Sequence, residues 1–228
     1  MIKLPSADRG LILNRYRALF KEYGCSPQSL GWTKGKQNIR FDILSSYFEL
    51  KRKKILDIGC GFGDLFKYLN ILGVDTQYHG IDIVDVFIDK AKELFPEEEA
   101  CCFDCEDFLS ADFPDKYDVI FGSGCFNLKL EETDNYEYIG RAFEKAYDLC
   151  EEGFAFDFLK DRVNFMREHC FYYNPEKLLC LAYSYSRNVV LRSDYMPFEF
   201  SICVYKDDSF NSNTVFNKYW EKFDGIEM

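Results

Sequence analysis

An acid followed by three alternating glycines forms the stretch with the clearest chemical meaning. Asp57 lies at the end of an apolar run, and Gly59, Gly61 and Gly63 follow at every second position. A glycine adopts positive φ at little cost and, because it lacks Cβ, allows a ligand to approach the backbone. The helical pattern that begins directly afterwards offers unpaired N–H groups and a partly positive end. A buried strand, a bare turn and a helix N-terminus together predict a site for a polar, partly anionic ligand.

The spacing of these glycines distinguishes between two kinds of nucleotide-binding turn. Gly59, Gly61 and Gly63 give G-x-G-x-G, whereas dinucleotide-binding turns carry G-x-G-x-x-G. A second acid, Asp82, ends a predicted strand that begins at Thr76. It follows the turn by about 20 residues, the spacing at which a carboxylate reaches ribose hydroxyls. The alternatives are a tight turn without a ligand for the glycines, and a helix-capping role for Asp82.

The segment from Leu56 to Gly63 resembles the first motif of the class I methyltransferases that use S-adenosylmethionine, which contains apolar-Asp-apolar-Gly-x-Gly-x-Gly. Only this motif is specific, although the order of predicted elements extends the resemblance over residues 55–206. The resemblance implies S-adenosylmethionine as the cofactor. It places Asp57, the backbone of Gly59 and the neighbouring Cys60 beside the methionine part of the cofactor, with Gly61 and Gly63 allowing its close passage.

The same resemblance assigns the nucleoside part of the cofactor. Asp82, with the following Ile83, matches the acid of the second motif and is expected at the ribose. After a third predicted strand, the family has an acid that accepts the adenine amino group and an apolar side chain that lies on the ring. Asp107 with Phe108 fits this pattern best, and Asp104 is the alternative acid.

Two N-terminal side chains are candidates for the carboxylate of the cofactor. Gln37 and Arg40 lie near the start of a predicted helix, and a guanidinium matches a carboxylate bidentately. The alternative is that both are solvated helix residues. Ser123, in the loop after the fourth predicted strand, completes the predicted cofactor contacts.

The methyl acceptor is expected beyond the carboxyl ends of the strands, where ligands bind in such sheets. The loop from Gly122 to Asn127 lies there, but it lacks the Asp/Asn-Pro-Pro-aromatic sequence of the branch that methylates nucleic-acid amino groups. His169 is the obvious titrating candidate for a base, although a structural role is the alternative. The predicted acceptor-pocket residues are Asn127, His169, Tyr172 and Tyr173.

Composition excludes several classes of protein. The 228 residues are 47% hydrophobic and 29% charged, which is typical of a globular domain rather than a disordered chain. No apolar run approaches the roughly 20 residues that cross a bilayer, and the N-terminus lacks a signal-peptide core, so we expect a cytoplasmic protein. Ten cysteines are therefore expected as free thiols. Cys102 and Cys105 belong to a single C-x-x-C without a second pair, so no metal site is predicted.

Charge is distributed unevenly along the chain. Residues 1–54 hold twelve Lys and Arg against four Asp and Glu, whereas residues 55–228 hold sixteen against thirty-five. An acidic body argues against a nucleic-acid partner, because phosphate contacts need clustered cations. The basic N-terminal segment has two interpretations: it covers the acidic body, which we favour, or it faces an anionic group of the substrate.

Taken together, the sequence predicts an α/β fold with a Rossmann-like, seven-stranded, mostly parallel sheet. Helices cover both faces, and an antiparallel hairpin closes the sheet. The predicted division is an N-terminal helical cover (residues 1–50), a core that binds S-adenosylmethionine (51–206) and a C-terminal tail (207–228). The expected function is methyl transfer to an oxygen or nitrogen atom of a small molecule. A non-catalytic cofactor-binding module and a nicotinamide-dependent oxidoreductase are the alternatives, and the oligomeric state is left open.

Overall fold

Seven strands and seven helices are present in the computed structural model, which describes residues 4–31, 36–96, 99–210 and 215–220. The strands are β1 (Lys53–Ile58), β2 (Thr76–Asp82), β3 (Cys101–Cys105), β4 (Tyr117–Gly122), β5 (Cys150–Leu159), β6 (Val189–Arg192) and β7 (Glu199–Tyr205). The helices are α1 (Ser6–Tyr23), α2 (Gln37–Ser45), α3 (Asp64–Ile71), α4 (Asp85–Leu94), α5 (Asn135–Leu149), α6 (Pro175–Tyr183) and α7 (Asn217–Trp220).

All seven strands form one sheet in the order β3-β2-β1-β4-β5-β7-β6. The pairs from β3 to β5 are parallel, whereas β7 pairs antiparallel with both β5 and β6. The predicted fold class, including the closing hairpin, is therefore confirmed. In this arrangement the carboxyl ends of β1, β2, β4 and β5 meet at one edge of the sheet. The antiparallel β7 contributes its first residue, Glu199, to that same edge.

Alternation along the central strands divides the core into two apolar layers. Phe154, Phe156 and Phe158 of β5 pack on one face with residues of α5 and α6. Ala155 points to the opposite face, where residues of α2, α3 and α4 pack. Strands buried on both faces explain why these segments read as continuous apolar runs in the sequence.

Local polar side chains set several helix ends. Asn174 accepts a hydrogen bond from Lys177 N at 3.0 Å, with Pro175 in the first turn of α6, as the sequence predicts. The predicted second helix extends to Leu50, but α2 ends at Ser45. The hydroxyls of Ser45 and Ser46 donate to carbonyls three residues earlier and so compete with helix propagation.

The N-terminal helix α1 lies against the turn regions at the edge of the sheet. Tyr16 and Phe20 pack edge-on against Phe87, with ring centroids 5.9 and 6.1 Å apart. The fully buried Asp8 carboxylate accepts backbone hydrogen bonds from residues 131–133 at 2.7 to 3.1 Å. Burial tends to raise the pKa of Asp8, but its hydrogen bonds to the 131–133 loop prevail and lower it. Asp8 therefore fastens the start of α1 across the edge of the sheet.

Cations of the N-terminal segment pair with acids of the body. Arg17 forms a bidentate pair with Asp85 at 2.9 and 2.8 Å, at the surface. The buried Arg40 pairs with Glu199, with one Nε···Oε2 distance of 2.6 Å. Further pairs join Lys53 to Glu152 and Lys54 to Asp115. These contacts agree with the interpretation that the basic segment covers an acidic body.

Within the described parts of the chain, every helix is too short or too polar to cross a membrane.

Candidate active site

The three glycines after β1 all adopt the left-handed backbone region. Their φ angles are 69° for Gly59, 57° for Gly61 and 79° for Gly63. A Cβ on Gly61 would lie 2.8 Å from Cδ2 of Leu30, and a Cβ on Gly63 would lie 2.8 Å from Cζ of Phe103. A side chain at these positions would therefore strain the turn and collide with neighbouring protein groups.

Asp82, at the end of β2, organises the turn from the neighbouring strand. Its two carboxylate oxygens accept hydrogen bonds from Gly61 N at 3.0 Å and from Val84 N at 2.9 Å. The side chain is only 8% exposed, and burial raises its pKa to about 6 despite these hydrogen bonds. A second acid therefore lies beside the glycine turn, as the sequence spacing predicts.

Asp57, near the end of β1, is buried and accepts a hydrogen bond from the hydroxyl of Tyr78. Burial is the largest cause that raises the pKa of Asp57 to about 7. The hydrogen bond from Tyr78 acts in the opposite direction, and the charges of Asp82, Asp64 and Asp157 add to the rise. A cationic group bound next to Asp57 would relieve this crowding of negative charge.

An open cleft of about 110 Å³ lies beside these acids, and we call it the glycine cleft. Its walls come from the ends of β1, β2 and β4, from the loop after β3, and from the N-terminal segment. The acids that line it are Asp57, Asp82, Glu106 and Asp107, and no Lys or Arg is among the described residues that line it. The predicted cofactor residues that line it are Gln37, Asp57, Gly59, Cys60, Asp82, Ile83, Asp107, Phe108 and Ser123.

Three predicted cofactor residues lie outside this lining. Gly61 and Gly63 belong to the turn but face Leu30 and Phe103 rather than the open space. Arg40 points away towards Glu199, because the guanidinium and this buried carboxylate neutralise each other. Gln37, one helical turn earlier, lines the glycine cleft and contacts the Asp64 side chain.

The two candidate acids for the adenine contact, Asp107 and Asp104, occupy different places. Asp107 is buried at the glycine cleft, and its carboxylate accepts a hydrogen bond from Leu109 N at 3.1 Å. Asp104 lies on the outer strand β3 and pairs with the His79 ring at 3.0 Å, away from the glycine cleft. Geometry therefore favours Asp107 over Asp104 for contact with a bound ligand.

Asp157, near the end of β5, holds the loop after β4. It accepts hydrogen bonds from the Ser123 hydroxyl at 2.7 Å and from Gly124 N at 2.8 Å. Asp157 is not among the residues predicted from the sequence, although an acid inside an apolar strand indicates a specific role, because burying a carboxylate is unfavourable. Burial raises its pKa to about 7, while the nearby Arg40 acts to lower it.

A second space of about 300 Å³, which we call the adjoining pocket, opens next to the glycine cleft. Its walls come from α1 and α2, from the segment after β5 and from the turn before β7. Asn127, His169 and Tyr172 line it, as the sequence predicts. Tyr16, Leu30, Gly124 and Leu128 line both spaces. The two spaces therefore meet at these four residues.

Tyr173 was also predicted in the acceptor pocket, and the structure corrects this. Its side chain is fully buried and packs on Phe158 and Phe171, with ring centroids 5.0 and 4.8 Å apart. Its hydroxyl donates to the carbonyl of Phe126 at 3.0 Å. This hydrogen bond satisfies the polar end of Tyr173 inside the core, so the residue has no need of the pocket.

Two of the pocket residues use their polar atoms to hold loops. Asn127 accepts from Leu159 N at 2.9 Å and donates weakly to Gly124 O at 3.4 Å. The Tyr172 hydroxyl accepts from Arg167 N at 3.0 Å.

His169 is half-buried, and burial together with the charges of Arg15 and Arg167 lowers its pKa. His169 is therefore neutral at pH 7.

Comparison with known proteins decides the family. The model of a family described as "Methyltransferase domain" matches residues 55–170. A Mycobacterium tuberculosis (strain ATCC 25618 / H37Rv) protein named "Putative methyltransferase Rv1506c" is 31% identical over 157 residues, covering 67% of this chain and 92% of that protein. The chain belongs to the class I S-adenosylmethionine-dependent methyltransferases.

Solved structures agree on the fold of this methyltransferase. Human N-acetylserotonin methyltransferase in complex with S-adenosylmethionine has a TM-score of 0.64 at 17% identity, covering 89% of this chain and 60% of that one. The N-methyltransferase NodS from Bradyrhizobium japonicum WM9, in complex with S-adenosylhomocysteine, has a TM-score of 0.61 at 14% identity, covering 84% and 98%. At such identities the likeness shows the fold alone.

Several residues that line the glycine cleft of this methyltransferase were not predicted from the sequence. From the N-terminal segment, Leu4, Ile12, Tyr16 and Leu30 line the glycine cleft. The apolar character of these side chains gives no sign that they face an open space rather than a core. Cys60, in the turn itself, is a buried free thiol. Among the described residues, no group of three or more His, Cys, Asp or Glu is placed to hold a metal ion.

Proposed function

We propose that this methyltransferase binds S-adenosylmethionine in the glycine cleft and transfers its methyl group to an oxygen or nitrogen atom of a small molecule in the adjoining pocket. The observation that carries the proposal is the junction of the two spaces at Tyr16, Leu30, Gly124 and Leu128. A methyl donor in one space and an acceptor in the other would meet there without solvent between them.

The charge of the glycine cleft fits this cofactor. S-adenosylmethionine carries a sulfonium and an ammonium group, and the cleft is lined by acids without a lining cation among the described residues. Asp57 would face the ammonium group together with the Gly59 backbone and Cys60, and Gln37 would donate to the carboxylate. The crowding that raises the pKa of Asp57 would be relieved by the positive charge.

The nucleoside end of the cofactor would lie between β2 and the loop after β3. Asp82, with Ile83 beside it, would accept from the ribose hydroxyls, because its carboxylate lies at the strand end that lines the cleft. Asp107 would accept from the adenine amino group, and Phe108 would lie against the ring. Ser123, held by Asp157, would close the cleft on the β4 side.

When bound, S-adenosylmethionine supplies a methyl group whose bond to sulfur breaks as the acceptor atom attacks, so that the electron pair of that bond stays on sulfur. The positive charge is discharged in this step, and the protein does not have to stabilise a new anion. Alignment and exclusion of water are therefore the main contributions of the chain. For a hydroxyl acceptor, His169, which lines the adjoining pocket, would take the proton.

A small-molecule acceptor is supported by the size and the position of the adjoining pocket. Its volume of about 300 Å³ suits a ligand of modest size. The acidic body, with thirty-five Asp and Glu against sixteen Lys and Arg in residues 55–228, disfavours a nucleic-acid acceptor. We further propose that residues 1–50 act as the cover of both spaces, since α1 and Leu30 supply part of each wall.

Isothermal titration tests the cofactor site. S-adenosylmethionine and S-adenosylhomocysteine are each titrated into the wild-type protein, Asp82→Asn and Asp107→Asn, with Asp104→Asn as the matched control outside the cleft. We expect binding by the wild type and Asp104→Asn, and at least tenfold weaker binding by the other two variants, since each loses a charge-assisted hydrogen bond. No heat with either ligand, or equal affinity in all four proteins, would overturn the proposal.

A further inference from the structure

We propose that the methyl acceptor is an amphipathic anion: an apolar, preferably aromatic, body that carries a carboxylate or phosphate group. This inference deepens the proposed function and rests on it, because it names the chemical class that the adjoining pocket selects. It stands on the charges that line the pocket and on the apolar wall beside them.

The charge of the adjoining pocket is opposite to that of the glycine cleft. The cations that line the pocket are Arg15, Lys36, Arg40 and Arg167. Among the described residues that line it, Glu199 is the only acid. Glu199 is already paired with Arg40. The remaining lining charge is therefore positive, in a chain whose net charge is −11.

Three of these cations, Arg15, Lys36 and Arg167, lack an acidic partner within the described residues. Arg15 and Arg167 make no ion pair there, whereas Arg17, two residues along α1, is held bidentately by Asp85. Both unpaired guanidiniums act on the titration of His169 and Cys170, which places them on the same part of the wall. A planar guanidinium next to a partly enclosed space is well suited to a carboxylate or phosphate.

Another part of the pocket lining is apolar. Phe165 and Phe198 lie edge to face with ring centroids 6.1 Å apart, and Met196 and Pro197 extend this surface. Phe165 is 57% exposed, which is unusual for so large an apolar side chain next to a cavity. An aromatic body packed on this wall would cover Phe165 while its anionic group reached Arg15 and Arg167.

The arrangement also discriminates against other acceptor classes. A cationic acceptor would be repelled by Arg15 and Arg167, and a neutral acceptor would leave the charges of both guanidiniums without a partner. An amphipathic anion satisfies both walls at once. The two spaces thus divide their ligands by charge, with the cationic cofactor in the acidic cleft and the anionic acceptor in the basic pocket.

The test uses four probes of one shape, titrated by calorimetry into the full chain saturated with S-adenosylhomocysteine. The probes are 2-naphthoate, 2-naphthyl phosphate, 2-naphthalenemethanol and 2-naphthylmethylammonium. We expect at least one of the two anions to bind at least tenfold more tightly than the alcohol and the ammonium probe, and the preferred anion distinguishes a carboxylate from a phosphate acceptor. The double variant Arg15→Gln/Arg167→Gln should lose this preference, while its affinity for the alcohol stays within threefold.

Arg17→Gln serves as the matched control, because Arg17 lies on the same helix outside the pocket and should leave every affinity unchanged. Equal binding of the four probes, no binding of either anion, or an anion preference that survives the double variant would overturn the substrate class. S-adenosylhomocysteine is titrated separately into each protein. Its failure to bind the wild type would overturn the proposed function itself, whereas its binding without an anion preference would overturn the acceptor class only.

Discussion

At the scale of single residues, two properties of the turn require glycine: its positive φ angles and the closeness of neighbouring side chains. The sequence alone does not show which of the two is decisive. Gly59, Gly61 and Gly63 need positive φ, and each also lies against a protein side chain. The glycine spacing predicted the turn correctly, since left-handed backbone positions are a local property. The neighbours Leu30 and Phe103 come from distant parts of the chain, and a local pattern carries no information about them.

Gly59 and Gly73 allow the two requirements to be measured apart. Their φ angles are nearly equal, 69° and 70°, but a Cβ on Gly59 would collide with Cβ of Cys125, whereas a Cβ on Gly73 would meet nothing within 4 Å. We expect Gly73→Ala to lower the free energy of unfolding by about 1–2 kcal/mol, the cost of a left-handed non-glycine residue. Gly59→Ala should lose a further 1–3 kcal/mol or so from overpacking.

Urea unfolding of the two variants and the wild type provides this comparison. Equal losses of free energy in Gly59→Ala and Gly73→Ala would show that the contact with Cys125 relaxes freely. In that case the bare turn would be explained by its backbone angles alone.

At the scale of elements, the sequence predicted the strands and helices well where local signals agree. The helix start at Asn174-Pro175 and the strand end at Asp82 are examples, because a cap and an acid at a strand tip are visible locally. The predictions were wrong where contacts between residues far apart in the sequence determine the structure. The sequence pattern predicts a helix from Tyr136 to Cys150 that closes near Gly153, with a strand starting at Phe154, but Gly153 lies inside β5, paired with Tyr205 of β7.

The candidate site shows the same difference between residues with local sequence signals and residues whose contacts are distant in sequence. Asp57, Asp82 and Asp107 were found from their positions at strand ends, and all three line the glycine cleft. Arg40, predicted at the cofactor carboxylate, pairs with Glu199, which lies 159 residues away in the sequence. Nothing near Arg40 indicates that its charge is already neutralised within the fold.

The attachment of α1 leads to a prediction about its stability. Truncating Asp8 leaves three partly buried N–H groups of residues 131–133 without their acceptor, a loss on the order of 1–3 kcal/mol. In Asp8→Ala we therefore expect trypsin to cut within α1, after Arg9, Arg15 or Arg17, at least tenfold faster than in the wild type.

Asp85→Ala is the control, because it removes the exposed pair with Arg17, whose worth is about 0.2–1 kcal/mol. Its cleavage rate should rise less than fourfold or so. The idea that Asp8 fastens α1 fails if the two variants are cut at the same rate, or if Asp8→Ala is cut no faster than the wild type.

At the scale of the whole molecule, charge is separated in space as well as along the chain. Basic side chains of the N-terminal segment pair with body acids at the surface, as Arg17 does with Asp85, while Asp57, Asp82 and Asp107 are buried at the glycine cleft. Burial without compensation is unfavourable for a carboxylate. The ligand-free molecule therefore carries an electrostatic cost that a cationic ligand would relieve.

This cost predicts how stability changes with pH. Burial raises the pKa of Asp57 to about 7 and that of Asp82 to about 6, both above the ordinary value of 3.8. A raised carboxyl pKa stabilises the fold fully below the unfolded pKa, and this contribution is lost as pH rises through the folded pKa. His79 and His169 have lowered pKa values and act in the opposite direction, since they favour the fold above about pH 6.5.

The variant Asp57→Asn isolates the contribution of Asp57 from those of the histidines. Its side chain stays neutral at every pH, and its side-chain oxygen still accepts a hydrogen bond from Tyr78. Relative to the ligand-free wild type, the variant should gain on the order of 2 kcal/mol of unfolding free energy between pH 5 and pH 8, as the native carboxyl ionises in its buried site. Urea unfolding of both proteins at pH 5, 6, 7 and 8 measures the difference. Saturating S-adenosylmethionine should shrink it, because the bound cation compensates the carboxylate of the wild type only. A difference that stays constant from pH 5 to pH 8 would mean that Asp57 does not titrate in this range, which would contradict a folded-state pKa of about 7.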